Sequence, residues 1–95
     1  METVDNIKKS ILPILIKYGV SRAGLFGSYV TNQYTEDSDV DILVQLGKKI
    51  SLLEFVRIKL DLEDKLNKKV DLVEYQAIKP RLKSRILSEE VRIYG

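Results

Sequence analysis

The chain has 95 residues, of which 44% are hydrophobic and 32% are charged, and this balance predicts one folded domain over residues 1–95 rather than a disordered chain or a membrane span. Because histidine and cysteine are absent, the chain cannot supply a disulfide, a Ser-His-Asp or Cys-His catalytic site, or a conventional zinc site. Its net charge of +2 gives only a weak indication of a nucleic-acid partner.

The first part of the chain predicts a helix, a short strand and a turn. Apolar residues at helical spacing predict a helix over residues 3–18, which ends at Gly19 and which Pro13 should kink or split. Residues 22–26 suit a buried strand that runs into a tight turn at Gly27-Ser28. The polar residues 29–38 predict a short helical turn followed by a loop.

The second part predicts two strands joined by a helix. DVDILVQL, residues 39–46, suits a central strand, and residues 70–74 suit another short strand. Between them, an apolar stripe and a capping box formed by Ser51 and Glu54 predict a helix over residues 51–68.

The order of these elements predicts the fold class. A strand, a long helix and a second strand form a crossover unit, so the two strands should lie parallel with a right-handed connection. A last helix should follow Pro80, and residues 91–94 should form an extended tail. We therefore expect an α/β domain whose small mixed sheet has three to four strands and whose helices pack mainly on one face.

Three aspartates are the candidates for chemistry. Asp39 and Asp41 are two apart on a predicted strand, so both side chains should project from one face. The neighbouring parallel strand carries Asp71 within VDLV, and Asp71 should lie near the other two if it points to the same face. Two interpretations are open: a strand entrance where the acids face water, or a clamp for divalent cations that offset the repulsion between carboxylates.

The Gly27-Ser28 pair follows a buried strand and opens a predicted helical turn. Glycine lets an anion such as phosphate approach the unpaired amides of such a turn, and the serine hydroxyl adds one donor. A simple turn with Ser28 as helix N-cap is the more common explanation of such a pair. Neither the Walker motif nor the dinucleotide-binding glycine motif occurs in the chain.

In combination, these segments resemble the nucleotidyltransferases of the DNA polymerase β superfamily. The resemblance rests on LFGS at residues 25–28, on the ten residues between it and DVDILV at residues 39–44, and on VDLV at residues 70–73 after one helix. The short length and the closing segment over residues 79–95 resemble the minimal nucleotidyltransferases (MNT), whose better-studied members are antitoxins paired with HEPN-domain toxins.

The resemblance implies roles for particular residues. The catalytic residues and metal ligands that it implies are Asp39, Asp41 and Asp71. The nucleotide-binding residues that it implies are Gly27, Ser28 and Ser38. Asp71 would also act as base toward the attacking hydroxyl, and Mg2+ or Mn2+ would stabilise the charge of the transferred phosphoryl group.

The activity implied is metal-dependent transfer of AMP from ATP to a hydroxyl of a partner protein, and the partner implied is a HEPN-domain toxin. The alternative is a catalytically weak or inactive binding module that neutralises the toxin by contact. Since no signal peptide or anchor is visible, we expect a cytoplasmic protein without a membrane partner. The modest net charge argues against a nucleic-acid partner. A homo-oligomer is left open.

One position departs from the family pattern. After Gly-Ser the family usually carries an arginine and a glycine, where this chain has Thr31 and Asn32. Asparagine tolerates left-handed backbone, so the turn can survive. The missing cation would have to be replaced by Arg22, by Lys48 or by a residue of the partner.

Overall fold

The computed structural model describes residues 3–31, 33–35 and 37–95, so the expectation for Asn32 lies outside the described residues. The helices are α1 (Val4–Lys17), α2 (Ser28–Thr31), α3 (Leu52–Leu66) and α4 (Pro80–Glu89). The strands are β1 (Val20–Phe26), β2 (Val40–Leu46), β3 (Val70–Glu74) and β4 (Val91–Tyr94), and a 3-10 turn over Tyr75–Ala77 follows β3. None of these helices has the length and apolar character needed to cross a membrane.

The strands form one mixed sheet in the order β3-β2-β1-β4. Strand β1 runs antiparallel to both β2 and β4, whereas β3 runs parallel to β2. The predicted fold class and the predicted parallel pairing are therefore confirmed, while the hand of the connection stays a prediction. The segment expected to be an extended tail is β4, because its backbone pairs with the edge of β1 that β2 leaves open.

The hydrophobic core lies between one face of the sheet and the two long helices. The side chains that α1 and α3 bury there are Ile7, Ile11, Leu15, Ile58, Leu62 and Leu66. From β2, the core receives the alternate residues Val40, Ile42 and Val44, each worth about 1.5–3 kcal/mol when fully buried. Because side chains alternate along a strand, Asp41 faces away from this core.

Pro13 lies inside α1, and the expectation that it would split the helix is wrong, since α1 is continuous from Val4 to Lys17, while a kink at Pro13 stays a prediction. Proline removes one backbone hydrogen bond, and its ring crowds the preceding turn. Ile11 and Leu15, on either side of it, are both fully buried. Packing against the core therefore holds both halves in one helix.

Hydrogen bonds cap the start of α3 and connect its last turns to the start of β3. The Ser51 hydroxyl caps the start of α3 by accepting from the Glu54 amide at 3.1 Å, as predicted. Asn67 ends the helix with left-handed backbone at φ 53°. One turn earlier, Glu63 Oε2 accepts from the Val70 amide at 2.9 Å, which ties the first residue of β3 to the helix.

Candidate functional site

Asp41 lies in a central strand of the sheet, on the face opposite the core. It pairs with Phe26 of β1 in the antiparallel register and with Asp71 of β3 in the parallel register. Asp41 is half-buried, whereas Asp71 and Asp39, which directly precedes β2, are exposed. The predicted closeness of Asp71 to Asp41 is confirmed by this register.

Gly27 directly follows β1 and touches the Asp41 side chain. Its backbone is left-handed, with φ +78°, and its carbonyl accepts from the Val30 and Thr31 amides at 3.1 Å, which closes the single turn of α2. A Cβ at this position would overlap Asp41 Oδ2 and would lie 2.9 Å from Asp41 Cγ. Glycine is therefore required both by the backbone conformation and by the approach of the carboxylate.

The Asp41 carboxyl group has an altered acidity. Burial, which is the largest cause, then repulsion by Asp71 and then repulsion by Asp39 together raise its pKa from the ordinary 3.8 to about 6. Three acidic groups therefore interact electrostatically at this point of the sheet. A bound cation would oppose all three causes of the shift.

The residue types fit a hard divalent cation, because carboxylate oxygens are the ligands that Mg2+ and Mn2+ prefer. Within the described residues, however, the side chains form no group of three or more acidic ligands already arranged to hold a metal ion. The strand register brings Asp41 and Asp71 together, and the pKa of Asp41 responds to Asp39. Metal ligation by these three aspartates stays a prediction.

Of the two predicted serines, one lies in α2 and the other in the loop that joins α2 to β2. Ser28 is half-buried and begins α2. The Ser38 hydroxyl accepts from the Thr35 amide at 2.8 Å, and Ser38 in turn donates its amide to the Thr35 carbonyl at 3.1 Å. The Ser38 hydroxyl also lies 3.4 Å from Thr35 Oγ1, a long contact in which either oxygen can be the donor.

A cavity of about 360 Å³ opens beside this loop. It is lined by Asp37, Ser38, Asp39, Asn67, Lys68 and Lys69. The two lysines were missed as site residues from the sequence. The signal that could have found them is their position directly before VDLV, which was predicted to form the strand beside that of the aspartates.

Thr31 is the position at which the sequence resemblance leads us to expect an arginine. It is the last residue of α2 and is exposed, and its hydroxyl donates to the Gly27 carbonyl at 3.3 Å. The side chain thus leaves from the same turn as Gly27, although it brings no charge there.

The two cations of this chain expected to replace that arginine lie elsewhere. Arg22 Nη2 is 3.8 Å from Glu90 Oε1, and its guanidinium lies 4.2 Å from the centre of the Tyr75 ring. Lys48 follows the far end of β2, about 20 Å along the chain from Asp41. The structure supports neither as the missing cation.

Glu90 organises a polar cluster on the same sheet face. Its side chain is 6% exposed, accepts from the Tyr75 hydroxyl and lies 3.5 Å from Arg92 Nε. Burial, together with this hydrogen bond and the Glu90 charge, raises the pKa of Tyr75 to about 12. Glu90 also lies over Gly24, where a Cβ would come within 2.6 Å of Glu90 Cγ. The cluster joins β4, β1 and the 3-10 turn.

Comparison with known proteins connects this arrangement to a family. A family model described as "Polymerase beta, Nucleotidyltransferase" matches residues 9–95. A Methanocaldococcus jannaschii protein named "Putative protein adenylyltransferase MJ0435" is 51% identical over 90 residues, which cover 95% of this chain and 97% of that protein.

Two solved structures share the fold. A crystal structure of a toxin-antitoxin with AMP-PNP matches with a TM-score of 0.81 at 22% identity, over 93% of this chain and 73% of that one. A complex of the tri-AMPylated Shewanella oneidensis HEPN toxin with MNT antitoxin matches with a TM-score of 0.75 at 20% identity, over 96% of this chain and 71% of that one. With a family model that spans nearly the whole sequence, the chain belongs to the polymerase β nucleotidyltransferase family.

Proposed function

We propose that the chain transfers AMP from ATP to a hydroxyl group of a partner protein, and that it is the antitoxin of a HEPN-domain toxin. The observation that carries the proposal is the pairing of Asp41 with Asp71 in adjacent parallel strands, with Gly27 against the Asp41 carboxylate. This arrangement joins a pair of carboxylates to the turn expected to bind phosphate.

The transfer forms one phosphorus–oxygen bond and breaks another. The acceptor hydroxyl oxygen attacks the α-phosphorus of ATP, and the bond from that phosphorus to the oxygen that bridges to the β-phosphate breaks. Pyrophosphate leaves with the bonding electron pair. The hydroxyl proton passes to the carboxylate of Asp71, whose exposure leaves it accessible to an acceptor on another protein.

In this proposal, Asp39, Asp41 and Asp71 hold Mg2+ or Mn2+. When bound, the cation supplies positive charge that stabilises the transferred phosphoryl group and the departing pyrophosphate. The raised pKa of Asp41 supports the assignment, because two of its causes are the neighbouring charges of Asp71 and Asp39. A cation among these groups would relieve the repulsion.

Gly27, Ser28 and Ser38 bind the nucleotide in this proposal. Gly27 offers a surface without a side chain beside Asp41. Ser28 begins the turn that follows, and the Ser38 hydroxyl can turn its hydrogen from the long 3.4 Å contact with Thr35 Oγ1 to a phosphate oxygen. The phosphates would therefore run between the end of β1 and the start of β2.

The partner is proposed from the relatives. The Methanocaldococcus jannaschii relative is named as a protein adenylyltransferase, and one solved structure of the same fold is a complex with a tri-AMPylated HEPN toxin. The surface of α3 agrees with a protein partner, since Leu52, Leu53 and Leu60 are 79%, 69% and 55% exposed. Exposed apolar side chains grouped on one helix are typical of an interaction surface.

A second candidate function is an inactive antitoxin that neutralises its toxin by contact alone. Two observations favour it: Thr31 carries no charge where the resemblance leads us to expect an arginine, and Glu90 already engages Arg22. A protein that binds no nucleotide in either its free or its toxin-bound form would belong to this class.

Mass spectrometry of the partner distinguishes the two functions. A HEPN-domain protein that forms a complex with this chain would be incubated with ATP, Mg2+ and either wild type or Asp41→Asn. We expect the partner to gain the mass of one or more AMP groups with wild type and none with Asp41→Asn. An unmodified partner that still forms a stable complex with wild type would contradict transfer and favour the contact mechanism.

A further inference from the structure

The face of the sheet that carries the aspartates also carries a lysine. The Val40 amide donates to the Lys69 carbonyl at 2.9 Å, and Val40 pairs with Val70 in the parallel register. Asp39 and Lys69 are therefore neighbours at the adjoining N-terminal ends of β2 and β3. Their backbones are held together by a ladder hydrogen bond and do not depend on a flexible loop.

The alternation of side chains puts Lys69 on the candidate site's side of the sheet. Val40 and Val70 both point into the core. The residues before them, Asp39 and Lys69, consequently face the opposite side, which is the side of Asp41. Both Asp39 and Lys69 are exposed, and both line the cavity of about 360 Å³ that Ser38 also lines.

Lys69 is also a cation that the described contacts leave unengaged. Within the described ranges, the ion pairs join Glu90 to Arg22 and to Arg92, and none involves Lys69. Arg22 is thus occupied, while Lys69, the residue directly before β3, lines the cavity beside Ser38 and Asp39. Among acidic side chains, a triphosphate needs such a charge, because the carboxylates repel phosphate oxygens.

We propose that Lys69 binds the phosphate groups of the nucleoside triphosphate and supplies the positive charge that Thr31 does not. The inference rests on the proposed function and names a further binding residue for it. An ammonium suits this task because it is a compact charge with three donors on a flexible stem, and it reaches phosphate oxygens without a fixed orientation.

Calorimetric titration with Mg2+ and ATP tests the assignment in four proteins: wild type, Lys69→Gln, Lys69→Arg and Lys49→Gln. Lys49→Gln is the matched control, since it removes the same charge from an exposed lysine beyond the far end of β2. We expect Lys69→Gln to weaken ATP binding about tenfold, while the other two variants stay within about threefold of wild type.

Three outcomes would overturn the assignment. Unchanged affinity in Lys69→Gln would show that the ammonium does not reach the phosphates, and an equal loss in Lys49→Gln would show a general effect of net charge. A fall of several degrees in the melting temperature of ligand-free Lys69→Gln would identify Lys69 as a structural partner of the acidic residues. If wild type itself bound no ATP, the proposed function would fail together with this inference, whereas binding by wild type and Lys69→Gln alike overturns the inference alone.

Discussion

The Asp41 carboxylate lies against the backbone of Gly27, in the space that a side chain at Gly27 would occupy. This contact joins the two sequence motifs that first indicated a nucleotidyltransferase, the Gly-Ser turn after β1 and the aspartates of β2. Asp41 is thereby fixed between Gly27 on one side and Asp71, its partner in the sheet, on the other. A substitution at any of these three positions should therefore alter the geometry or the charge of the other two.

Gly27→Ala should destabilise the protein more than Gly19→Ala does. The two glycines have nearly equal left-handed backbones, with φ +78° and +73°, but a Cβ at Gly19 would meet nothing within 4 Å. Gly19→Ala should therefore cost only the strain of about 1 kcal/mol, while Gly27→Ala adds a clash with Asp41 worth about 1–3 kcal/mol. Urea unfolding of both variants measures the difference, and equal losses would mean that Asp41 moves aside freely.

Asp41→Asn should stabilise the metal-free protein near neutral pH. The pKa of Asp41 is raised to about 6 in the folded state, so the folded protein binds this proton more tightly than the unfolded chain does. The stability that the proton contributes is fully present below about pH 4 and is lost as the pH rises through 6. Asparagine does not titrate, so the variant does not lose stability in this way. Because Asp41 is only half-buried, we expect a gain on the order of 1 kcal/mol or less at pH 7.5.

Thermal unfolding of both proteins at pH 4 and pH 7.5, with a chelator present, measures this effect. The advantage of Asp41→Asn should be a few degrees at the higher pH and should vanish at the lower one. A large loss of stability in the variant at pH 7.5 would instead identify Asp41 as a structural hydrogen-bond acceptor.

Thr31→Arg should tighten the binding of Mg2+ and ATP. Thr31 is exposed and leaves the same turn as Gly27, so a guanidinium there can offer paired hydrogen bonds to phosphate oxygens. A gain of about 1–2 kcal/mol is expected by titration calorimetry. Thr31→Gln, which adds length without charge, is the control. Equal or weaker binding by Thr31→Arg would show that this side chain does not face the phosphates.

Glu90→Gln should destabilise the sheet edge. The side chain of Glu90 is 6% exposed and lies within 4 Å of both Arg22 and Arg92, which are themselves 35% and 43% exposed. Removing its charge leaves two guanidinium groups without compensation, at a cost of about 2 kcal/mol, below that of a fully buried pair because water reaches both arginines. Urea unfolding beside the neighbouring variant Glu89→Gln checks this. Equal stability of the two variants would contradict a role for Glu90 in holding β4.

Local sequence patterns predicted the helices and strands that carry strong hydrophobic periodicity, and they predicted the register neighbours Asp41 and Asp71. These features follow from short-range rules: side-chain alternation, helix capping by Ser51 and the geometry of a strand-helix-strand unit. The prediction that Pro13 could split the helix was wrong. The burial of Ile11 and Leu15, on either side of the proline, outweighs the free-energy cost of its lost backbone hydrogen bond.

The remaining features depend on contacts between distant parts of the chain. Strand β4 pairs with β1 only because α4 turns the chain back toward the sheet. The same turn brings Glu90 to Arg22. Neither contact leaves a periodic signal in the sequence. Lys69 could have been placed beside Asp39 from the parallel pairing alone, since both residues immediately precede the paired valines.

The most direct test of the central claim, that the three aspartates form a metal-nucleotide site, is titration calorimetry of ATP with Mg2+ on wild type and Asp41→Asn. We expect wild type to bind. At ligand concentrations a hundredfold above the dissociation constant, this binding should raise the free energy of unfolding of wild type by about 2.7 kcal/mol. The variant should show little binding, because it lacks the charged oxygen between Gly27 and Asp71. Equal binding by both proteins, or no binding by wild type at millimolar metal and nucleotide either alone or with its partner, would contradict the claim.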